Sequence, residues 1–210
     1  MAPFTQVVFM NKMILMKILG VIMAIKIYID QGHNPSSPNA GAEGNGFVEQ
    51  DITYDVGIIL ADLLRSNGNF DVRLSRPTPE SSLGTTNASS LRIRVDEANA
   101  FGADYFVSLH TNASTNNTVS GTEVLVYNAP SVASALGEDI LIWLNRITGL
   151  RNRGIVERPG LYVLRKTKMP AVLVEMGFIS NSRDANLMNS SPELFAEGIY
   201  NGILQYTGLL

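Results

Sequence analysis

The sequence predicts a single α/β domain, and three observations carry the prediction. Short β-branched runs alternate with amphipathic helical stretches along most of the chain. The first strand, helix and second strand make one unit, which implies a parallel pair. Ala171-Val172-Leu173-Val174 is a continuous apolar run, the pattern of a strand covered on both faces of a sheet.

Taken in order, Ile25, Ile27 and Ile29 alternate with polar residues and define the first strand. Asp30-Gln31-Gly32 is turn chemistry that delivers His33 just past the strand's C-terminal end, where open α/β sheets bind ligands. Pro35 to Gly46 is almost all turn formers and reads as a surface loop. Phe47-Val48-Glu49 leads into a helix reaching about Ser66, with Ile52, Val56, Ile59 and Leu63 as its apolar stripe. Asn67-Gly68-Asn69 closes it, and Phe70 to Leu74 is the next strand. Pro77 to Ser89 reads as a polar loop, and Leu91, Val95 and Ala98 mark a helix ending near Gly102.

The strand Asp104 to Leu109 carries His110 at its end. A polar loop over Thr111 to Ser120 precedes a strand over Thr122 to Tyr127. Leu136, Ile140, Trp143, Leu144 and Ile147 define another amphipathic helix, closed by Gly149. Arg151 to Leu164 reads as basic and irregular. The buried strand from Ala171 ends at Glu175. The last helix opens with Ser191 as cap, Pro192 at the first position and Glu193 beside the dipole, then runs through Phe195, Ile199, Ile203 and Tyr206.

Composition narrows the function classes. A chain of 210 residues suits one core, and a net charge of −3 with no basic stripe gives no electrostatic case for nucleic acid. Cysteine is absent, which excludes disulfides and thiolate zinc sites. Met13 to Ile25 is apolar but interrupted by Lys17, too short and broken for a stable membrane span. Residues 1–23 are therefore expected to be an extension outside the fold, an upstream start or a weak export signal, with the functional domain over 24–210.

The chemistry-bearing residues lie at strand ends. The two histidines, His33 and His110, both sit there, and Glu175 ends a buried strand, where a carboxylate is costly unless paired, bound or catalytic. Glu49 begins the helix just beyond the His33 loop. Singly, each has an ordinary structural reading: His33 as a hydrogen-bonded loop residue, His110 as a core imidazole satisfied by a carbonyl, Glu49 as an acid complementing a helix N-terminus. Glu43, in the glycine loop, is a rival carboxylate. Together, two imidazoles and one carboxylate make a common ligand set for catalytic zinc, and a second carboxylate is then needed to take a proton from water.

Longer stretches point to a family. Asp30-Gln31-Gly32-His33 corresponds to an Asp-Pro-Gly-His opening, and Phe47-Val48-Glu49 to a glutamate before the first helix. Leu74-Ser75-Arg76, Leu91-Arg92-Ile93-Arg94 with Ala98-Asn99, and Ser108-Leu109-His110-Thr111-Asn112 follow. Arg153-Gly154, Leu161-Tyr162-Val163-Leu164 and Val174-Glu175-Met176-Gly177-Phe178 complete the series. In this order and spacing the chain resembles the zinc-dependent N-acetylmuramoyl-L-alanine amidases of bacterial cell-wall hydrolases and phage endolysins, the amidase-3 type.

That resemblance implies a mixed, mostly parallel twisted sheet with helices on both faces. It implies one zinc ion per chain bound by His33, Glu49 and His110, with Glu175 as the acid/base. The implied substrate is the muramoyl–L-alanine amide of peptidoglycan, cut outside the cell or in the wall by a monomer. Gln31 stands where the family has proline and is expected to loosen that turn, and Asn34 stands where it has glycine. A zinc peptidase acting within the stem peptide, a non-catalytic wall-binding module and a two-carboxylate glycosidase are the alternatives.

Overall fold

The computed structural model describes residues 24–210, so the extension expected over 1–23 lies outside the described residues. Strand β1 (Ile25–Gln31) is followed by a small hairpin of β2 (Glu43–Gly44) and β3 (Phe47–Val48), then α1 (Glu49–Asn67), β4 (Phe70–Leu74), α2 (Asn87–Phe101) and β5 (Tyr105–Asn112). Next come β6 (Thr122–Val126), α3 (Val132–Thr148), β7 (Asn152–Glu157), the short α4 (Tyr162–Lys166) and β8 (Ala171–Phe178). Helices α5 (Ser182–Ser190) and α6 (Pro192–Thr207) end the chain. Among the described residues no helix is long and apolar enough to cross a membrane.

The main sheet has the order β4-β1-β5-β8-β6-β7. All neighbours are parallel except β6 and β8, so the sheet is mixed and mostly parallel, as expected. Side chains alternate between its faces. Ile27, Val107 and Val174 point into a large core shared with Ile52, Val56 and Leu60 of α1, Leu136 and Ile140 of α3, and Phe195 and Ile199 of α6. Tyr28, Phe106 and Leu173 point the other way, into a smaller cluster with Val95 and Ala98 of α2 and Val163 and Leu164 beside them. On this second face the strands reach Asp30, Ser108 and Glu175 two residues further on, and His110 four residues past Phe106. Asp30 and Ser108 are still buried beneath the thinner layer, whereas His110 and Glu175 beyond them are partly exposed.

Several details depart from the sequence reading. The buried stripe of α1 is Ile52, Val56, Leu60 and Leu64, while Ile59 and Leu63 are only partly buried at its flank. Helix α2 begins at Asn87 because Thr86 and Ser89 form a reciprocal capping box, which cuts short the expected polar loop. The segment read as irregular contains β7 and α4. β7 is a sheet edge bonded to β6 alone, so its polar Asn152, Arg153 and Glu157 stay exposed and no apolar alternation marks it. Helix α5 was not expected; Asn181 caps it by accepting from the Arg183 and Asp184 backbone amides. Ser191 ends α5 and opens α6 at once, and its side chain makes no cap hydrogen bond. Pro192 does occupy the first position of α6. Strand β8 runs past Glu175 to Phe178.

Helices α3 and α6 pack closely because glycines face the contact. A Cβ at Gly202 would lie 2.5 Å from the Ile140 Cα and 2.7 Å from its nitrogen, both backbone atoms that cannot turn aside. Gly202→Ala is therefore expected to destabilise the fold by about 1–3 kcal/mol, measured as a lower urea midpoint with an unchanged slope.

Candidate metal centre

The turn after β1 is held by buried polar contacts. Asp30 forms a buried ion pair with Arg94 of α2 and accepts from Ser108 Oγ at 2.8 Å. Arg94 also donates to the carbonyls of Gln31 at 2.7 Å and His33 at 2.6 Å. His33 has φ of 69°, the left-handed region that non-glycine residues seldom occupy, so the guanidinium on its carbonyl helps to hold an unfavourable conformation. Thr53 Oγ1 of α1 donates to the Gly32 carbonyl at 2.9 Å.

Gln31 does not loosen this turn. It is fully buried, its amide N–H donates to Ser75 Oγ at 2.9 Å, and its Oε1 accepts from the Arg76 amide at 2.9 Å. Gly57 makes room for it, since a Cβ there would lie 2.4 Å from Gln31 Cγ. A proline would have had no N–H to give Ser75, so glutamine exchanges ring rigidity for two ties to the end of β4. Asn34 is also buried and bridges the loops: its Nδ2 donates to the carbonyls of Pro38 and Leu83, and its Oδ1 accepts from the Leu83 amide.

Glu49 is the first residue of α1 and is buried at 3% exposure. Its Oε1 accepts from the Thr111 amide at 2.8 Å and lies 3.0 Å from His110 Nδ1. Its Oε2 accepts from the Ala42 amide at 2.9 Å and lies 3.1 Å from His33 Nε2. The two imidazole rings meet edge to face with centroids 4.9 Å apart. Burial pushes the Glu49 carboxyl up, but its bonds to His110 and His33 outweigh that and hold it well below the usual carboxylate range. Burial disfavours the His110 cation, yet Glu49 overcomes this and raises its pKa.

One nitrogen from each histidine and one Glu49 oxygen lie within 4.8 Å of one another. Two imidazole nitrogens and an ionised carboxylate are an N/O donor set suited to zinc, which binds imidazole nitrogens in their deprotonated form. Glu43 is exposed on β2 and does not belong to the cluster.

Glu175 lies directly across the ladder from His110 on β8. Its Oε2 is buried and accepts no hydrogen bond. Burial pushes its pKa up to about 7; His110 opposes this, and the negative charges of Glu49 and Glu123 reinforce it. The sequence reading missed Glu123, which faces Glu175 from the antiparallel β6. Glu123 accepts from Asn112 Nδ2 at 2.8 Å and from Arg153 Nε at 3.1 Å. Only the β6–β8 register brings Glu123 there, and no local pattern announces that pairing.

A carboxyl whose folded pKa of about 7 exceeds its ordinary 4.5 stabilises the fold fully below pH 4.5 and loses that contribution as pH rises toward 7. In chelator, the stability of the protein is expected to fall more steeply between pH 5 and 8 than that of Glu175→Gln. The two curves should diverge by up to about 3 kcal/mol, read from urea unfolding at each pH.

The fold and the donor cluster together define an α/β protein with a candidate catalytic-type metal centre at its strand ends. A sequence profile described as N-acetylmuramoyl-L-alanine amidase, of the amidase-3 type, matches residues 27–205, and the chain belongs to that family. It is 34% identical over 183 residues to the N-acetylmuramoyl-L-alanine amidase CwlM of Bacillus licheniformis, covering 85% of this chain and 67% of CwlM. Against LytC, an N-acetylmuramoyl-L-alanine amidase of Bacillus subtilis (strain 168), identity is 33% over 184 residues, covering 86% of this chain but 35% of LytC. The solved structure of an N-acetylmuramoyl-L-alanine amidase from Clostridium difficile 630 superposes with a TM-score of 0.78 at 30% identity, covering 88% of this chain and 97% of that one.

Proposed function

We propose that the chain hydrolyses the amide between N-acetylmuramic acid and the L-alanine that starts the peptidoglycan stem peptide. His33, Glu49 and His110 would hold one zinc ion, and Glu175 is the general acid and base. The observation that carries this reading is the placement of Glu175: a half-buried carboxylate whose buried Oε2 accepts no hydrogen bond, directly across the ladder from His110 of the donor cluster. The family membership supplies the bond to be cut.

A zinc ion bound there would supply Lewis acidity, acidifying a water and polarising the scissile carbonyl. Glu175 Oε2 accepts the proton from the attacking water as its oxygen bonds to the carbonyl carbon. It then gives that proton to the alanine nitrogen as the C–N bond breaks, releasing the lactyl carboxylic acid, whose own proton is lost to solvent or the product amine, and a free amine. Because no hydrogen bond occupies Oε2, the carboxylate is free to take and return that proton. The Asp30–Arg94 pair and Thr53 hold the His33 turn, and the amides of Ala42 and Thr111 orient Glu49.

Labelling the amino termini released from purified peptidoglycan tests this: alanine should be the new terminus. Termini from within the stem peptide indicate a peptidase, and new reducing sugar ends indicate a glycosidase. His33→Ala and His110→Ala are each expected to bring bound zinc, measured by atomic absorption, from about one per chain to near zero. We place the catalytic domain at 24–210 and its action in the cell wall, as a monomer. A chain beginning at Met23 should retain hydrolysis.

A further inference from the structure

We infer that the β2–β3 hairpin braces the donor cluster and that Asn45, at its tip, is a positioning residue for Glu49, which rests on the zinc reading above. The base of the hairpin is tied to Glu49 from both ends. Glu49 directly follows β3, and its amide donates to the Ala42 carbonyl at 2.9 Å. Its Oε2 accepts from the amide of the same Ala42, just before β2, at 2.9 Å. Gly41 lets this loop close on the side chain, since a Cβ there would lie 2.7 Å from Glu49 Cβ. The orientation of the hairpin is therefore passed to the carboxylate through two short bonds.

The hairpin does not fix that orientation alone. Its two-residue strands form a sheet separate from the main one, and so short a pair is marginal by itself. Ala42 and Phe47 pack on the large core and hold the base, whereas the tip is exposed. There Asn45 and Gly46 have φ of 54° and 84°, the two left-handed positions of a tight Asn-Gly turn. Asparagine suits such a turn anyway, but its Nδ2 also donates to the Ile179 carbonyl at 2.7 Å. Gly44 lies against the same carbonyl, and a Cβ on it would come within 2.5 Å of that oxygen. Ile179 is itself fixed, because its side chain is fully buried and its amide donates to the Asn112 carbonyl at 2.8 Å. Asn112 ends β5, the strand of His110. The tip is thus moored through one residue to the strand that carries His110, and Glu49 Oε1 meets that strand again at the Thr111 amide. Base and tip together set the Glu49 carboxylate relative to His110.

The test measures zinc dissociation constants of the full chain by competition with a chromogenic chelator, beside urea unfolding of the metal-free protein. Asn45→Gly keeps the left-handed turn and removes the donor. It is expected to raise the dissociation constant about tenfold, the low end for contacts that orient metal ligands. Gly44→Ala disturbs the same mooring from the other side, by pushing the tip off the Ile179 carbonyl, and should weaken zinc binding too. Gly202→Ala, which strains the α3–α6 contact and touches no residue of the cluster, should lower the urea midpoint and leave zinc binding unchanged. A merely structural hairpin predicts the same split for Asn45→Gly and Gly44→Ala as for Gly202→Ala. Unchanged zinc binding in both hairpin variants, or an equal loss in Gly202→Ala, overturns the brace alone. A wild-type chain that binds no zinc overturns the metal reading and the brace together.

Discussion

Glu175→Gln is expected to lower peptidoglycan hydrolysis by about 10²- to 10⁴-fold while zinc content stays unchanged. Glutamine has nearly the shape of glutamate but cannot accept the water's proton, and Glu175 is not one of the clustered donor residues. Its Oε2 accepts no hydrogen bond in the fold, so no structural contact is lost at that atom. The activity-limb that follows ionisation of Glu175 should also vanish from the pH profile. Residual activity near the wild-type level would require another base, and Glu123 would be the first to examine, since it faces Glu175 across the β6–β8 ladder.

Arg94→Met is expected to destabilise the fold by about 3–5 kcal/mol, the usual effect of removing one partner from a buried ion pair. Asp30 and Arg94 are each 1% exposed. Burial alone would raise the Asp30 pKa, and the Arg94 guanidinium overcomes this and keeps it low. Without Arg94 the carboxylate is left uncompensated, and the carbonyls of Gln31 and His33 lose their donor. The double variant Asp30→Asn/Arg94→Met should recover part of the loss in urea unfolding, because it removes the stranded charge. Zinc affinity should stay weakened in both, since His33 then keeps its left-handed backbone without the guanidinium on its carbonyl.

The sequence made these residues legible because each interrupts or follows an apolar run: His33 comes after the turn Asp30-Gln31-Gly32, while His110 and Glu175 follow Leu109 and Val174 inside strands that the structure continues to Asn112 and Phe178. The structure places His33 and His110 with Glu49 in one cluster and Glu175 beside it, while their chemical roles remain the proposal above. Glu49 was less visible on its own, because an acid in a first helical turn usually serves the helix dipole. Its carboxylate instead turns back to the Ala42 and Thr111 amides and both imidazoles.

What was not legible follows from pairing and exposure rather than from local pattern. β7 is an edge strand whose polar residues are solvated, so it lacks the alternation that marks a half-buried strand. The α1 stripe was misplaced because Ile59 and Leu63 are as apolar as Leu60 and Leu64, and only the packing against α6 and the sheet selects between them. Gln31 looked like a weakness beside the family's proline. Its two buried hydrogen bonds join residues 44 and 45 positions apart in sequence, which no reading of the turn alone could supply.

Mass spectrometry of the soluble products from purified peptidoglycan, with zinc-loaded protein and with chelator, decides which bond the chain cuts and whether metal is needed. Stem peptides beginning with a free L-alanine amine and glycan carrying free lactyl carboxyl groups are expected, both absent with chelator and with Glu175→Gln. Products cut elsewhere, or the same products formed undiminished in chelator, would contradict the proposed hydrolysis.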